Sequence, residues 1–457
     1  MGELHHQNCE PHVAVLAFPF GTHAVPLLSL TERLAAAAPH ITFSFFSTAK
    51  SNASIFGKVT SHTHNIIRAY DVDDGVPEGY VFTGKRQEDI ELFLSVTPEN
   101  FKNGINKVVF ETKKNISCLM TDAFLCHAAD MADEMNVPWI PLWTAGACAL
   151  STHLYTDLIR DVVGADSNRC HEIPLAFVPG IPSAIRANDV PLEVHGANQE
   201  SVLSRLLHKM AQTITRATII TINSFDKLDS SVIDDLKTKF DHCLTLGPFT
   251  LTSTSVSGND PYGCLSWLDS KKPRSVVYLS FGTVTMPPPA ELVALAEALQ
   301  KSGVSFLWSL KDGLKANLPK GFLNSISESR GMVVPWAPQS QILEHTAVGV
   351  FLTHCGWNSV LESITGGVPM ICRPFFGDQK LNGRFVSAVW GIGLVTKDGI
   401  FSKDGLIDEL NLILHNEEGK RMREKVMTLN ELAKQAVGPE GSSTENFNTL
   451  LEMVLKS

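Results

Sequence analysis

The chain has 457 residues, 44% of them hydrophobic and 19% charged, with a formal net charge of −10. That length predicts two or three folded domains with sizeable cores, and the acidic balance excludes the broad basic surface of a nucleic-acid binder. Its nine dispersed cysteines show no paired spacing, which argues against a disulfide framework, and no apolar run approaches the roughly 18–20 residues of a membrane span. The polar N-terminus lacks the apolar core of a signal peptide, so the expectation is a cytoplasmic protein.

In chain order, residues 12–18 (H-V-A-V-L-A-F) read as a buried first strand, 26–37 as an Ala-rich helix and 41–46 as a second strand. This βαβ opening predicts a parallel sheet with helices on both faces. Further strands are expected at 65–70, 117–121, 139–142 and 218–221, with helices over 87–112 (interrupted at Pro98), 123–135, 202–214 and 224–240. Residues 162–196 are rich in Pro, Asn and Gly and read as loops. The polar stretch 251–263, L-T-S-T-S-V-S-G-N-D-P-Y-G, reads as a linker. A second βα series follows: a short helix from 265, strands at 275–280 and 305–309, a helix over 290–302, and late helices at 403–414, 419–437 and 442–456. Two doubly wound halves leave a cleft, and ligands in such sheets bind beyond the carboxyl ends of the strands.

The densest stretch is residues 336–379. Two apolar runs, 348–352 and 368–372, have the length and β-branched content of buried parallel strands. Between them Thr353-His354-Cys355-Gly356 makes a turn, and Trp357-Asn358-Ser359 opens a helix. A strand, a tight turn and a helix N-terminus converge free N–H groups and a helix dipole on one point, which suits an anion such as a diphosphate. Glu362, four residues after Asn358 on the same helical face, can accept from a ribose diol, and Trp336 with Ala337 offers a plate and a backbone edge to a base. The run ends in Asp378-Gln379, a pair suited to a hydroxyl-rich ligand. His354-Cys355 has no partner at metal-ligand spacing, so no metal is expected.

This string resembles, from end to end, the signature box of plant UDP-sugar-dependent glycosyltransferases that decorate small molecules. The resemblance implies the GT-B fold, an α/β architecture of two Rossmann-like domains facing across a cleft. The implied division is an acceptor-binding domain over 1–250, the linker 251–263, a UDP-sugar-binding domain over 264–438, and a terminal segment 439–457 crossing back onto the first domain. Longer strings, among them H-V-A-V-L-A-F-P-F, D-G-V-P-E-G-Y-V-F, W-T-A-G and V-G-P-E-G-S-S-T-E-N-F, are similar to those of flavonoid 3-O-glucosyltransferases. In that family the His of the opening loop, F-G-T-H here, is the general base and the Asp of T-D-A-F its partner, which points to His23 and Asp122. Their positions agree: both follow strands and so lie at the carboxyl edge of one sheet, although position alone leaves His23 one candidate among 16 histidines.

By matching motif, Trp336 would stack on uracil and Gln339 and Glu362 would hold the ribose. Thr283, His354, Asn358 and Ser359 would meet the diphosphate. Thr22, Thr144, Trp357, Asp378 and Gln379 would complete the donor site on the sugar side. Gln87 and His153 would reach the acceptor's hydroxyls, with Phe18, Gly21, Phe124 and Phe376 around it. Phe18, Phe20, Phe124, Phe375 and Phe376 suit a flat aromatic guest, though at least two of the five fit ordinary core equally well. Gly21 departs from the serine usual in relatives, and residues 181–196 match poorly.

The implied reaction inverts the anomeric centre of UDP-glucose, uses no cofactor or metal and takes a phenolic or enolic hydroxyl of a flavonoid; the alternatives are another UDP-sugar (galactose), another small phenolic acceptor, or a non-catalytic nucleotide-sugar binder. Acidity points the same way. Histidine near pKa 6.5 faces a phenol near 10, a gap of about 5 kcal/mol, against about 13 kcal/mol for an alkyl alcohol. A nicotinamide enzyme would need G-x-G-x-x-G after a strand and a hydrolase G-x-S-x-G; neither occurs at these loops. The chain is expected to act as a monomer on two small molecules, without nucleic acid or membrane.

Overall fold

The computed structural model describes residues 10–57, 66–85, 87–164, 173–196, 199–253, 260–282, 284–327 and 329–457. The first half runs β1 (His12–Leu16), α1 (Ala24–Ala37), β2 (Thr42–Thr48), α2 (Ala49–Phe56), β3 (Ile67–Val72), α3 (Glu88–Val96), α4 (Glu99–Thr112) and β4 (Cys118–Asp122). It continues through α5 (Ala128–Met135), β5 (Trp139–Trp143), α6 (Ala147–Leu154), α7 (Thr156–Val163), α8 (Val202–Thr213), β6 (Ile220–Ile222), α9 (Ser230–Lys237), β7 (Cys243–Thr245) and α10 (Phe249–Thr252). Its seven strands form one parallel sheet in the order β3-β2-β1-β4-β5-β6-β7.

The second half comprises α11 (Cys264–Asp269), β8 (Val276–Ser280), α12 (Pro289–Ser302), β9 (Ser305–Ser309), α13 (Phe322–Ser325), β10 (Gly331–Val334), α14 (Gln339–Glu344) and β11 (Val348–Thr353). After these come α15 (Trp357–Gly366), β12 (Met370–Cys372), α16 (Gln379–Arg384), β13 (Gly393–Val395), α17 (Lys403–His415), α18 (Glu417–Ala436) and α19 (Ser442–Lys456). Its sheet is again parallel, ordered β10-β9-β8-β11-β12-β13.

Burial on both faces explains why the central strands read as unbroken apolar runs. Along β1, Ala14 and Leu16 enter one core while Val13 and Val15 enter the core on the opposite face. In β8, Tyr278 and Leu279 divide between two cores in the same way. The terminal helix α19 belongs to the first half in space. Its Phe447, Leu450 and Val454 share a core with β1 and β2, Asn446 Nδ2 donates to the Thr245 carbonyl at 2.9 Å, and the Arg33 guanidinium lies 3.8 Å from the centre of the Phe447 ring. Among the described residues no helix is long and apolar enough to cross a membrane.

Several expected elements are corrected. The helix expected from 123 starts only at Ala128, because the turn after β4 is spent on Asp122: its Oδ1 accepts from Phe124 N at 2.9 Å and its carbonyl from Leu125 N at 3.1 Å. The helix expected over 224–240 narrows to α9. Of the loops expected over 162–196, residues 162–163 belong to the end of α7, residues 165–172 lie outside the described residues, and the rest is irregular apart from a 3₁₀ turn at Ala187–Asp189 and an isolated bridge between Pro174 and Arg186. The linker's residues 254–259 and the start of the strand expected at 65–70 lie outside the described residues.

Candidate active site

In an open parallel sheet the ligand crevice forms where strand order reverses, because the two flanking loops there leave in opposite directions. The first sheet reverses between β1 and β4, the second between β8 and β11. The carboxyl ends of those four strands and the loops leaving them carry His23, Asp122, Gly282 and His354 in turn. The fold thus brings the predicted catalytic pair and the predicted diphosphate turn each to a switch point.

On the first side Gly21 turns the chain at φ +64°, and His23 caps α1. Left-handed backbone favours glycine over serine, so the departure at position 21 has a local reason. His23 Nδ1 donates to Asp122 Oδ2 at 2.8 Å, and Thr144 Oγ1 lies 3.2 Å from the same nitrogen. With its proton on Nδ1, the ring keeps the Nε2 lone pair free to act as a base. Asp122 is 1% exposed and held by Phe124 N. Burial disfavours the His23 imidazolium, but the Asp122 charge and hydrogen bond outweigh it, aided by Asp378, and the pKa is raised above the usual value.

Aromatic rings surround this pair. Phe124 lies 4.4 Å and Phe18 5.3 Å from His23, centroid to centroid, and Phe20 and Phe93 pack edge-on against Phe18. Phe18 was expected to line the acceptor site, but it is 2% exposed and belongs to the core behind Phe20 and Phe124. Phe375 is likewise packed against core, whereas Phe376 is exposed. His153 is buried on α6 against Trp143, and that burial lowers its pKa to about 4, leaving a neutral ring. Gln87 caps α3 in left-handed backbone.

On the second side the His354 ring lies between two glycines: a Cβ on Gly282 would come within 2.9 Å of Nε2, and one on Gly356 within 2.5 Å. Burial lowers its pKa to about 4 and leaves Nδ1 without a partner. It can therefore give a neutral hydrogen bond to an anion rather than a charge. Beside it α15 opens at Gly356 without a side-chain cap, which leaves the amides of its first turn for an anion. Thr283 lies outside the described residues.

Glu362 is held by Ser340 Oγ and Gln339 Nε2, each at 2.6 Å; Gln339 also donates to Ser359 Oγ at 2.9 Å and is oriented by Tyr278 at 3.2 Å. Burial raises the Glu362 pKa, with the two donors working against it. Trp336, 46% exposed, and buried Ala337 precede this network at the end of β10. At the far end Asp378 accepts from Asn382 Nδ2 at 2.9 Å, and burial raises its pKa. Gln379 Oε1 accepts from Phe375 N at 2.8 Å and Phe376 N at 3.3 Å, so only its amide nitrogen is left for a hydroxyl.

Trp357 is placed by its side chain between the two halves. Its indole Nε1 donates to the Asn223 carbonyl at 2.7 Å, and its ring fills the space above Gly146 of the other half. That N–H is spent between the domains, which leaves only the backbone N–H of Trp357 for a ligand. Sequence reasoning also passed over Ser340, Tyr278, Asn382 and Asn223. Ser340 had a signal, since it adjoins Gln339; a backbone carbonyl such as that of Asn223 leaves none.

A family model for UDP-glucoronosyl and UDP-glucosyl transferase matches residues 95–439. The chain belongs to that family: it is a UDP-glycosyltransferase with a GT-B fold. It is 54% identical to an anthocyanidin 3-O-glucosyltransferase of Vitis vinifera over 98% of each chain. With a flavonol 3-O-glucosyltransferase of Arabidopsis thaliana the identity is 52%, over 98% of this chain and 97% of the other. A crystal structure of a UDP-glucose: anthocyanidin 3-O-glucosyltransferase in complex with UDP superposes with a TM-score of 0.92 at 43% identity, covering 98% of this chain and 99% of that one.

Proposed function

We propose that this enzyme transfers glucose from UDP-glucose, with inversion, to a phenolic or enolic hydroxyl of a flavonoid, the 3-hydroxyl of a flavonol or anthocyanidin. The observation that carries the reading is the 2.8 Å His23–Asp122 pair, with the Phe124 ring 4.4 Å from the imidazole. The names of the relatives at 54% and 52% identity supply the acceptor class and the position attacked.

His23 Nε2 takes the proton of the acceptor hydroxyl as its oxygen attacks the anomeric carbon. The bond from that carbon to the diphosphate oxygen breaks on the opposite face, and UDP leaves with the electron pair. Asp122 supports the imidazolium formed. The α15 N-terminus, His354, Asn358, Ser359 and Thr283 receive the charge growing on the diphosphate, a preorganised set of donors that needs no metal. Trp336 and Ala337 hold the base, and Gln339 and Glu362 the ribose. Thr22, Thr144, Asp378 and Gln379 hold the sugar, while Gln87, His153 and Phe376 face the acceptor. Two small substrates and one complete cleft per chain fit a cytoplasmic monomer.

The test is an acceptor panel with UDP-glucose and UDP-galactose in the presence of EDTA, with product regiochemistry read by NMR. The reading predicts β-linked 3-O-glucosides and a preference for the glucose donor. Attachment elsewhere, a preference for galactose, or activity lost to EDTA and restored by a divalent cation would contradict it.

A further inference from the structure

Glu291 and Arg373 lie outside the donor and acceptor lists, yet together they hold the loop that carries Asp378 and Gln379. Arg373 follows β12 directly, and Glu291 sits in the first turn of α12, where a carboxylate is favoured by the helix dipole. The pair is bidentate, Nη2 to Oε1 at 2.6 Å and Nε to Oε2 at 3.0 Å, with side chains 12% and 8% exposed. Arg373 Nη1 also donates to the Pro374 carbonyl at 2.8 Å, and the guanidinium lies 4.1 Å from the centre of the Phe375 ring. Phe375 in turn meets Phe281 edge-on at 6.4 Å, and Phe281 leads into Gly282, which packs on His354. Glu291 Oε2 accepts a further bond from Phe401 N at 2.9 Å, and Phe401 packs on Phe281.

Burying an ion pair stabilises a fold little, since desolvation offsets the attraction and an apolar pair of similar volume serves packing as well. What a planar, two-point guanidinium–carboxylate contact adds is direction. Here it fixes the plane that sets the Pro374 carbonyl and the Phe375 ring, and so the path of residues 373–379. We propose that Glu291 and Arg373 are positioning residues for sugar recognition, which lock the Asp378–Gln379 loop in register with the Gly282 turn after β8 that packs on His354. The inference rests on the reading that Asp378 and Gln379 hold the sugar.

The experiment compares Arg373→Lys, Glu291→Gln and the double apolar variant Glu291→Leu with Arg373→Met, each checked for folding by thermal melt. It reads the Kd for UDP by calorimetry, the KM for UDP-glucose, and the glucose-over-galactose preference. The expected result is a KM for UDP-glucose raised about 10-fold and a narrowed sugar preference, with UDP affinity held within about twofold. The double variant, which keeps packing without direction, shows the same split and decides the matter if a single variant fails to fold. A folded variant with unchanged KM and preference overturns the inference, as does an equal loss of UDP and UDP-glucose binding. Asp378→Ala runs alongside. If it leaves the KM for UDP-glucose unchanged, the sugar-holding reading itself fails; if it raises KM while the pair's variants do not, only the positioning role fails.

Discussion

At the scale of single residues, two opposing effects act on the His23 ring. Burial would keep it neutral, and Asp122 at 2.8 Å more than reverses that. In its proposed role as base His23 works only unprotonated, so its raised pKa predicts that activity falls as pH drops through a value above the usual 6.5 of histidine. Replacing Asp122 by Asn leaves burial as the dominant effect. The acid limb of the kcat/KM profile then moves to lower pH, while the plateau falls by about 100-fold or more as the imidazolium loses its support. A limb that stays in place, or moves to higher pH, would show that Asp122 does not set the titration of His23.

At the scale of elements, Gly282 after β8 and Gly356 ahead of α15 leave room for one imidazole, that of His354. Gly356 has φ −60° and ψ 142°, a conformation alanine adopts freely, so Gly356→Ala adds only a methyl 2.5 Å from His354 Nε2. The ring must leave its place, and affinity for UDP is expected to fall about 10-fold or more by calorimetry, which is about 1.4 kcal/mol; an unchanged Kd in the folded variant would remove His354 from the diphosphate site.

The turn between β11 and α15 was legible in the sequence because strand, turn and helix opening follow one another within a few positions. So were β1, β4, β8 and β11, each built on an apolar run. The three-residue strands β6, β7, β12 and β13 are too short to show a period; β6 and β12 overlap stretches that read as strands, whereas β7 and β13 do not. The roles of Phe18 and Trp357 were legible as residue types but not as orientations. Whether an aromatic ring faces a ligand, a core or the opposite domain depends on what the rest of the chain brings against it, which local pattern does not encode.

At the scale of the whole molecule, the two halves are joined by specific bonds as well as by the chain. Trp357 reaches the Asn223 carbonyl, and Arg384 Nε donates to the Ala184 carbonyl at 3.0 Å beside Asp189. Ser443 of α19 returns to the Gly247 carbonyl at 2.7 Å. Stability carries one cost inside this frame. Asp229, 8% exposed ahead of α9, has its pKa pushed by burial to about 7. A carboxyl raised in the folded state binds its proton there while the unfolded chain has already released it, so the stability it confers at low pH is lost as pH rises towards 7. Its side chain makes no capping bond to α9. Asp229→Asn should therefore melt higher than the parent at pH 8 and show a smaller difference at pH 5; an equal gain at both would remove Asp229 as the cause.

The proposed mechanism divides the work between a donor cradle in the second domain and a base in the first. The direct measurement is His23→Ala, assayed for glucosyl transfer and titrated calorimetrically with UDP. The division predicts that transfer falls by at least about 100-fold while UDP binds with its original affinity. Transfer at close to the original rate, or a loss of UDP binding equal to the loss of rate, would contradict it.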